Sequence, residues 1–99
     1  MRHEVIQMEV KELLNGEGRP EVVERFHEKT LHIHGTFTAT LQVQGVVGAH
    51  DEWTDIGSAI SAPSIVAVPL AVTRLRIKTT AYTNGTPVAH LGGFDSRTD

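Results

Sequence analysis

The 99-residue chain contains no cysteine. Neither a disulfide framework nor a thiolate metal site is available to it, so packing, hydrogen bonding or assembly must hold it together. Aromatic residues are scarce at 5%, with one Trp and one Tyr, which argues against a stacking platform built from several rings. No basic excess is present either: nine Lys and Arg against twelve Asp and Glu give a formal net charge of -3. Such a balance offers no attraction to phosphate backbones or anionic lipid, so neither nucleic acid nor a membrane is an expected partner. Long hydrophobic runs are missing too. The most apolar stretch, 65–72, is interrupted by Pro69, and the first residues read Met-Arg-His-Glu. The expectation is a soluble chain without a membrane span or a cleavable signal.

What remains is a globular composition, 39% hydrophobic and 21% charged, at the length of one domain. A chain of this size buries roughly 60 to 65% of the surface its unfolded form exposes. Period-two alternation dominates. Ile6, Met8 and Val10 alternate with Gln7 and Glu9; Leu31 and Ile33 alternate with Thr30, His32 and His34; Leu75, Ile77 and Thr79 alternate with Arg74, Arg76 and Lys78. Each pattern predicts a strand with one buried face. Between Gly35 and Gly45, Phe37, Ala39, Leu41 and Val43 fall on one side and Thr36, Thr38, Thr40, Gln42 and Gln44 on the other. Shorter strands are expected over 52–56, centred on Trp53, and over 65–68, stopped by Pro69.

Turn signals separate these segments. Gly16, Gly18 and Pro20 make 15–20 a loop, and Gly45 to Asp51 reads as a connecting turn. Asn84-Gly85 predicts a hairpin returning Val88 to Leu91 against the preceding strand. The residues from Gly92 to Asp99 show too little periodicity for a core element and read as a tail. With no convincing long amphipathic helix, the expected fold is an all-β antiparallel sandwich, jelly-roll-like, over 21–99, with 1–20 as an N-terminal strand or arm and loop. One domain is expected overall.

Candidate sites are weighed against plainer roles. Six histidines raise a metal site, above all His32 and His34, which share a strand face; a third ligand would have to come from His27, His50 or His90. Without a paired helical motif or a Cys ligand, a solvated or intersubunit face accounts better for them, and no metal or cofactor is expected. Since imidazole as a group changes charge near neutrality, a pH-sensitive interface is a further reading. His50, Asp51, Glu52 and Asp55 form a possible acid-base group, but no nucleophile motif accompanies them and no serine lies in a Gly-x-Ser-x-Gly elbow, so no enzyme is expected. Arg74, Arg76 and Lys78 form a basic row suited to an acidic partner or to guarding a strand. Trp53 is expected in the core.

Several segments together carry a family likeness. Lys29-Thr30-Leu31-His32-Ile33-His34-Gly35-Thr36-Phe37, Ala39 to Gly45, Glu52-Trp53-Thr54-Asp55-Ile56-Gly57, Arg74 to Thr79 and Gly85-Thr86-Pro87 resemble small tailed-bacteriophage virion proteins, the β-sandwich proteins that decorate or cement phage heads. The likeness covers about 21–95. It departs from the pattern before Trp53, where Val46 to Glu52 replaces a Ser-x-Asp-Gly turn. The resemblance implies a virion location, the major capsid protein and further copies of the chain, as homotrimer or homodimer, for partners, and no catalytic residue. Contacts are then expected from Ile6 and Met8 on the arm, from Arg74, Arg76 and Lys78, and from Phe94. The Thr and Gln face of 36–44 would pair with a neighbour through many modest hydrogen bonds. A tail or neck accessory protein and a carbohydrate-binding adhesion module, using Trp53 or Tyr82, are the alternatives.

Overall fold

The computed structural model describes residues 2–69 and 71–95. Its strands are Arg2–Met8 (β1), Gly16–Glu17 (β2), Glu21–Val22 (β3), Phe26–His34 (β4), Phe37–Val46 (β5), Thr54–Asp55 (β6), Ser64–Val68 (β7), Arg74–Gly85 (β8) and Val88–Asp95 (β9). They form two antiparallel sheets. Sheet A is four-stranded in the order β1-β9-β4-β7; sheet B is five-stranded, β2-β8-β5-β6 with β3 also on β8. This is the all-β sandwich that the alternation predicts.

The inner faces meet in one core. Met8, Leu31, Ile33, Ala89 and Leu91 come from sheet A, and Leu41, Val43, Leu75 and Ile77 from sheet B, each at most 3% exposed. Burying a side chain of this size contributes about 1.5–3 kcal/mol. Thr79 is fully buried among them, and its hydroxyl donates to the Lys11 carbonyl at 2.6 Å, so the one polar group at that depth is satisfied.

Three expectations need correction. Asn84-Gly85 does not close a hairpin: β8 lies in sheet B and β9 in sheet A, so the turn carries the chain across the sandwich. A type I′ turn needs positive φ at both central residues, and here Gly85 has it (φ 93) while Asn84 does not. The earlier passage from β4 to β5, through Gly35 and Thr36, also switches sheets, and the two crossings are joined by Thr86 N–H donating to Thr36 O at 2.9 Å.

The second correction concerns Gly92 to Asp95, which are strand rather than tail; positions 96–99 of that expected tail lie outside the described residues. Two glycines erased the alternation there. Gly93 lies where β4 bulges between His27 and Thr30, and a Cβ on it would press to 3.1 Å from that of Phe26 and 3.2 Å from the His27 carbonyl. Third, of the strand or arm expected at the N-terminus, 2–8 is the strand. Its residues all pair with β9, from Arg2 opposite Asp95 to Met8 opposite Ala89, because Ile6 and Met8 complete the inner face. The loop after it is anchored by Asn15 and Gly18 N–H groups donating to Thr79 and Ile77 carbonyls.

Candidate interaction surface

Each sheet has an outer face, and the two differ in what they leave open. On sheet B, β5 is buried on both sides from Leu41 to Val46. Segment 54–60 runs along its edge, with Ile56 N–H donating to Val43 O and Leu41 and Ile60 exchanging a pair of hydrogen bonds, all at 2.8 Å. The Gln42 amide donates to the carbonyls of Ile56 and Gly57 at 3.2 Å. Gln44 donates to Asp55 Oδ1 at 2.9 Å and accepts from Arg76 Nε at 2.9 Å. Both glutamines are 8% exposed, so the expected partner-pairing face is used up internally at its Gln end. Thr36 and Thr38 are left exposed.

The two arginines of the basic row are also committed. Arg76 reaches Glu17 at 3.3 Å and stacks on the Trp53 ring at 4.5 Å. Arg74 lies over the same ring at 5.2 Å and donates to the carbonyl of His50 at 2.5 Å. Trp53 is accordingly half-buried under two guanidinium groups rather than in the core. Lys78, opposite Gln42 and Glu17, is half-buried. The acid-base group is dispersed: His50 Nδ1 accepts from its neighbour Glu52 N–H, Asp51 is exposed 3.8 Å from Arg74, and Asp55 holds Gln44.

Sheet A is different. Its outer face carries two rows across all four strands, Gln7-His90-His32-Ile65 and Val5-Gly92-Thr30-Ala67, flanked by the pairs His3-Phe94 and Val88-His34. None of these residues is Asp, Glu, Lys or Arg, in a chain where 21% of residues are. Val5 and Ile65 are 55% and 68% exposed. His32 and His34 do share this face, ring centroids 5.0 Å apart, and His90 joins them from β9. His34 Nε2 and His90 Nδ1 are 2.9 Å apart, the spacing of a hydrogen bond between imidazoles. No group of three or more His, Cys, Asp or Glu among the described residues is placed to hold a metal ion. Phe94, an expected contact, is half-buried with its ring edge-on to His3 at 5.2 Å. Of the two contacts expected on the arm, Met8 is 2% exposed inside the core and Ile6 packs half-buried against it; neither presents itself to a partner.

Sequence reading missed the group where β1 meets the interior. Arg25 Nη2 lies 2.9 Å from Glu4 Oε2, its Nε 3.8 Å from Asp95 Oδ2, and its guanidinium lies 4.3 Å above the Phe26 ring. The hydrogen bond from Arg25 holds the Glu4 carboxyl below its usual pKa. Lys29, 6% exposed beside the bulge, has its pKa lowered by burial. Tyr82 donates to Gly85 O at 2.7 Å; burial first, and the Glu12 carboxylate second, raise its pKa. Depressions exist, including one of about 460 Å³ lined by Val22, Glu24, Gly48, Ala49, Thr73 and Arg74. Its lining includes no Ser, Cys or His nucleophile or base beside the acidic Glu24. No helix among the described residues is long and apolar enough to cross a membrane. No protein-family model, curated protein or solved structure matches the chain.

Proposed function

We propose that the chain is a non-enzymatic structural protein acting through its surfaces: a decoration (cement) protein bound to the outer side of a bacteriophage major capsid lattice. The observation that carries this reading is the pair of charge-free rows across the outer face of sheet A, with exposed Glu28 at the β4 bulge outside them. Depletion of charge at the centre of a patch, with the charged residues kept elsewhere, is the composition of a protein interface. The sequence segments resembling phage virion proteins supply the setting, a virion assembled in the host cytoplasm, with the major capsid protein and further copies of the chain as partners. Many copies on a lattice would make individually modest contacts collectively strong.

An adhesion module reading sugars fits less well. Trp53 is roofed by Arg74 and Arg76, and Tyr82 sits six residues beyond Arg76 along β8, on the order of 20 Å away. The two rings do not form one groove. The test mixes the purified protein with expanded, undecorated capsids and images them. Regular occupancy of lattice positions, lost on Thr30→Glu, supports the proposal; binding confined to tails or necks, or none, overturns it.

A further inference from the structure

The edges of the two sheets are unequally protected. In sheet B the edge strands β2, β3 and β6 have two residues each, too short to template another chain, and the part of β8 they leave uncovered, 80–85, is where its register against β5 is broken by bulges. In sheet A, β7 has five residues and is closed in by Pro63 and Pro69, and proline at an edge blocks further pairing. β1 alone has none of these devices. It is seven residues long, free of proline, glycine, lysine and bulges, and among the described residues no strand pairs with its outer edge.

We propose that β1 is a dimerisation edge and that its occupant is β1 of a second copy, antiparallel about a twofold axis through Val5. This is the register that pairs all seven residues. It sets Val5 against Val5, His3 against the second copy's Gln7, Glu4 against Ile6 and Arg2 against Met8, with no like charges directly opposed. The two Glu4 carboxylates become diagonal neighbours, and each is already held by Arg25 at 2.9 Å. Val5, 55% exposed and set beside Gly92, gains an apolar neighbour across the axis. The two A sheets then join into one eight-stranded sheet whose uncharged outer faces are continuous. Since the far edges are the proline-flanked β7 strands, pairing stops at two copies and does not run on into a fibre.

This deepens the assembly reading, because it doubles the face assigned there to the lattice. Dimerisation is measured in solution without capsids, so either can fail alone. The chain's lack of cysteine makes the test direct. Opposed residues of an antiparallel pair have Cα atoms about 4.5–5.5 Å apart, within the range a disulfide spans. Light scattering on the wild type at micromolar concentration should give twice the chain mass of 10.8 kDa. Val5→Cys should oxidise to a disulfide-linked dimer at least tenfold faster than Leu13→Cys, a loop position of equal exposure at 54%. Val5→Lys, which opposes two ammonium groups at the axis, should return the single-chain mass with its strand circular dichroism kept. A wild type of single-chain mass at every concentration, or equal oxidation rates for the two cysteine variants, overturns the proposal.

Discussion

Arg76 donates to Gln44, pairs with Glu17 and covers Trp53, so it completes a polar layer over a strand that is otherwise buried. Truncating it strands the Gln44 carbonyl oxygen under segment 54–60. Arg76→Ala should therefore cost about 1–3 kcal/mol in urea unfolding, with a red shift in emission from Trp53, the single tryptophan, as its cover is removed. At Glu4 the sign of the pH effect follows from Arg25. Because the folded pKa is lowered, the stabilisation is present above the ordinary carboxylate value and is lost as pH falls through the lowered one. Arg25→Ala should lower the melting temperature at neutral pH, and calorimetry should show that difference shrinking below about pH 4. The part due to stacking on Phe26 should persist at both ends.

At the level of strands, Gly85 decides which sheet the chain enters next. With φ 93 it occupies the left-handed region, and a Cβ there would fall against Phe37 Cα and the Thr36 carbonyl. Gly85→Ala should destabilise by about 1–3 kcal/mol or more, read as a shifted urea midpoint. Asn-Gly was visible in the sequence, yet its use as a crossing was not, because local turn chemistry does not say whether the next strand finds its partner in the same sheet. Alternation located β1, β5, the second half of β4 and the first half of β8, since each has one face in the core, and β-branched residues located β7. It failed for the second half of β9, where Gly92 and Gly93 have no side chains to alternate. The outer positions His32, His34 and Thr30 could be read from periodicity. Their neighbours His90, Gly92 and Ile65 could not, because cross-strand partners depend on register. The same lack hid the internal pairing of Gln44 with Arg76, which turned an expected binding face into a structural one.

For the whole molecule, the assignment of work to surfaces follows from how the two sheets dispose of their charge. Sheet B keeps its arginines, Glu17 and Asp55 in mutual contacts on its outer side, while sheet A presents imidazole, hydroxyl, amide and aliphatic groups, which cost a neighbour less to desolvate than charges do when each polar group is given a hydrogen bond. An extended edge and a charge-depleted face then lie on the same sheet, the arrangement that the proposed lateral self-pairing and face-on lattice contact would both need. The pairing of β1 with β9 has a mechanical consequence. Arg2 and Asp95 are opposite one another, and the hydrogen bonds of an antiparallel ladder run across the strands. Tension applied between those two residues would load the bonds one after another, like a zip, instead of together in shear. A body of this kind yields to pulling at low force however high its melting temperature.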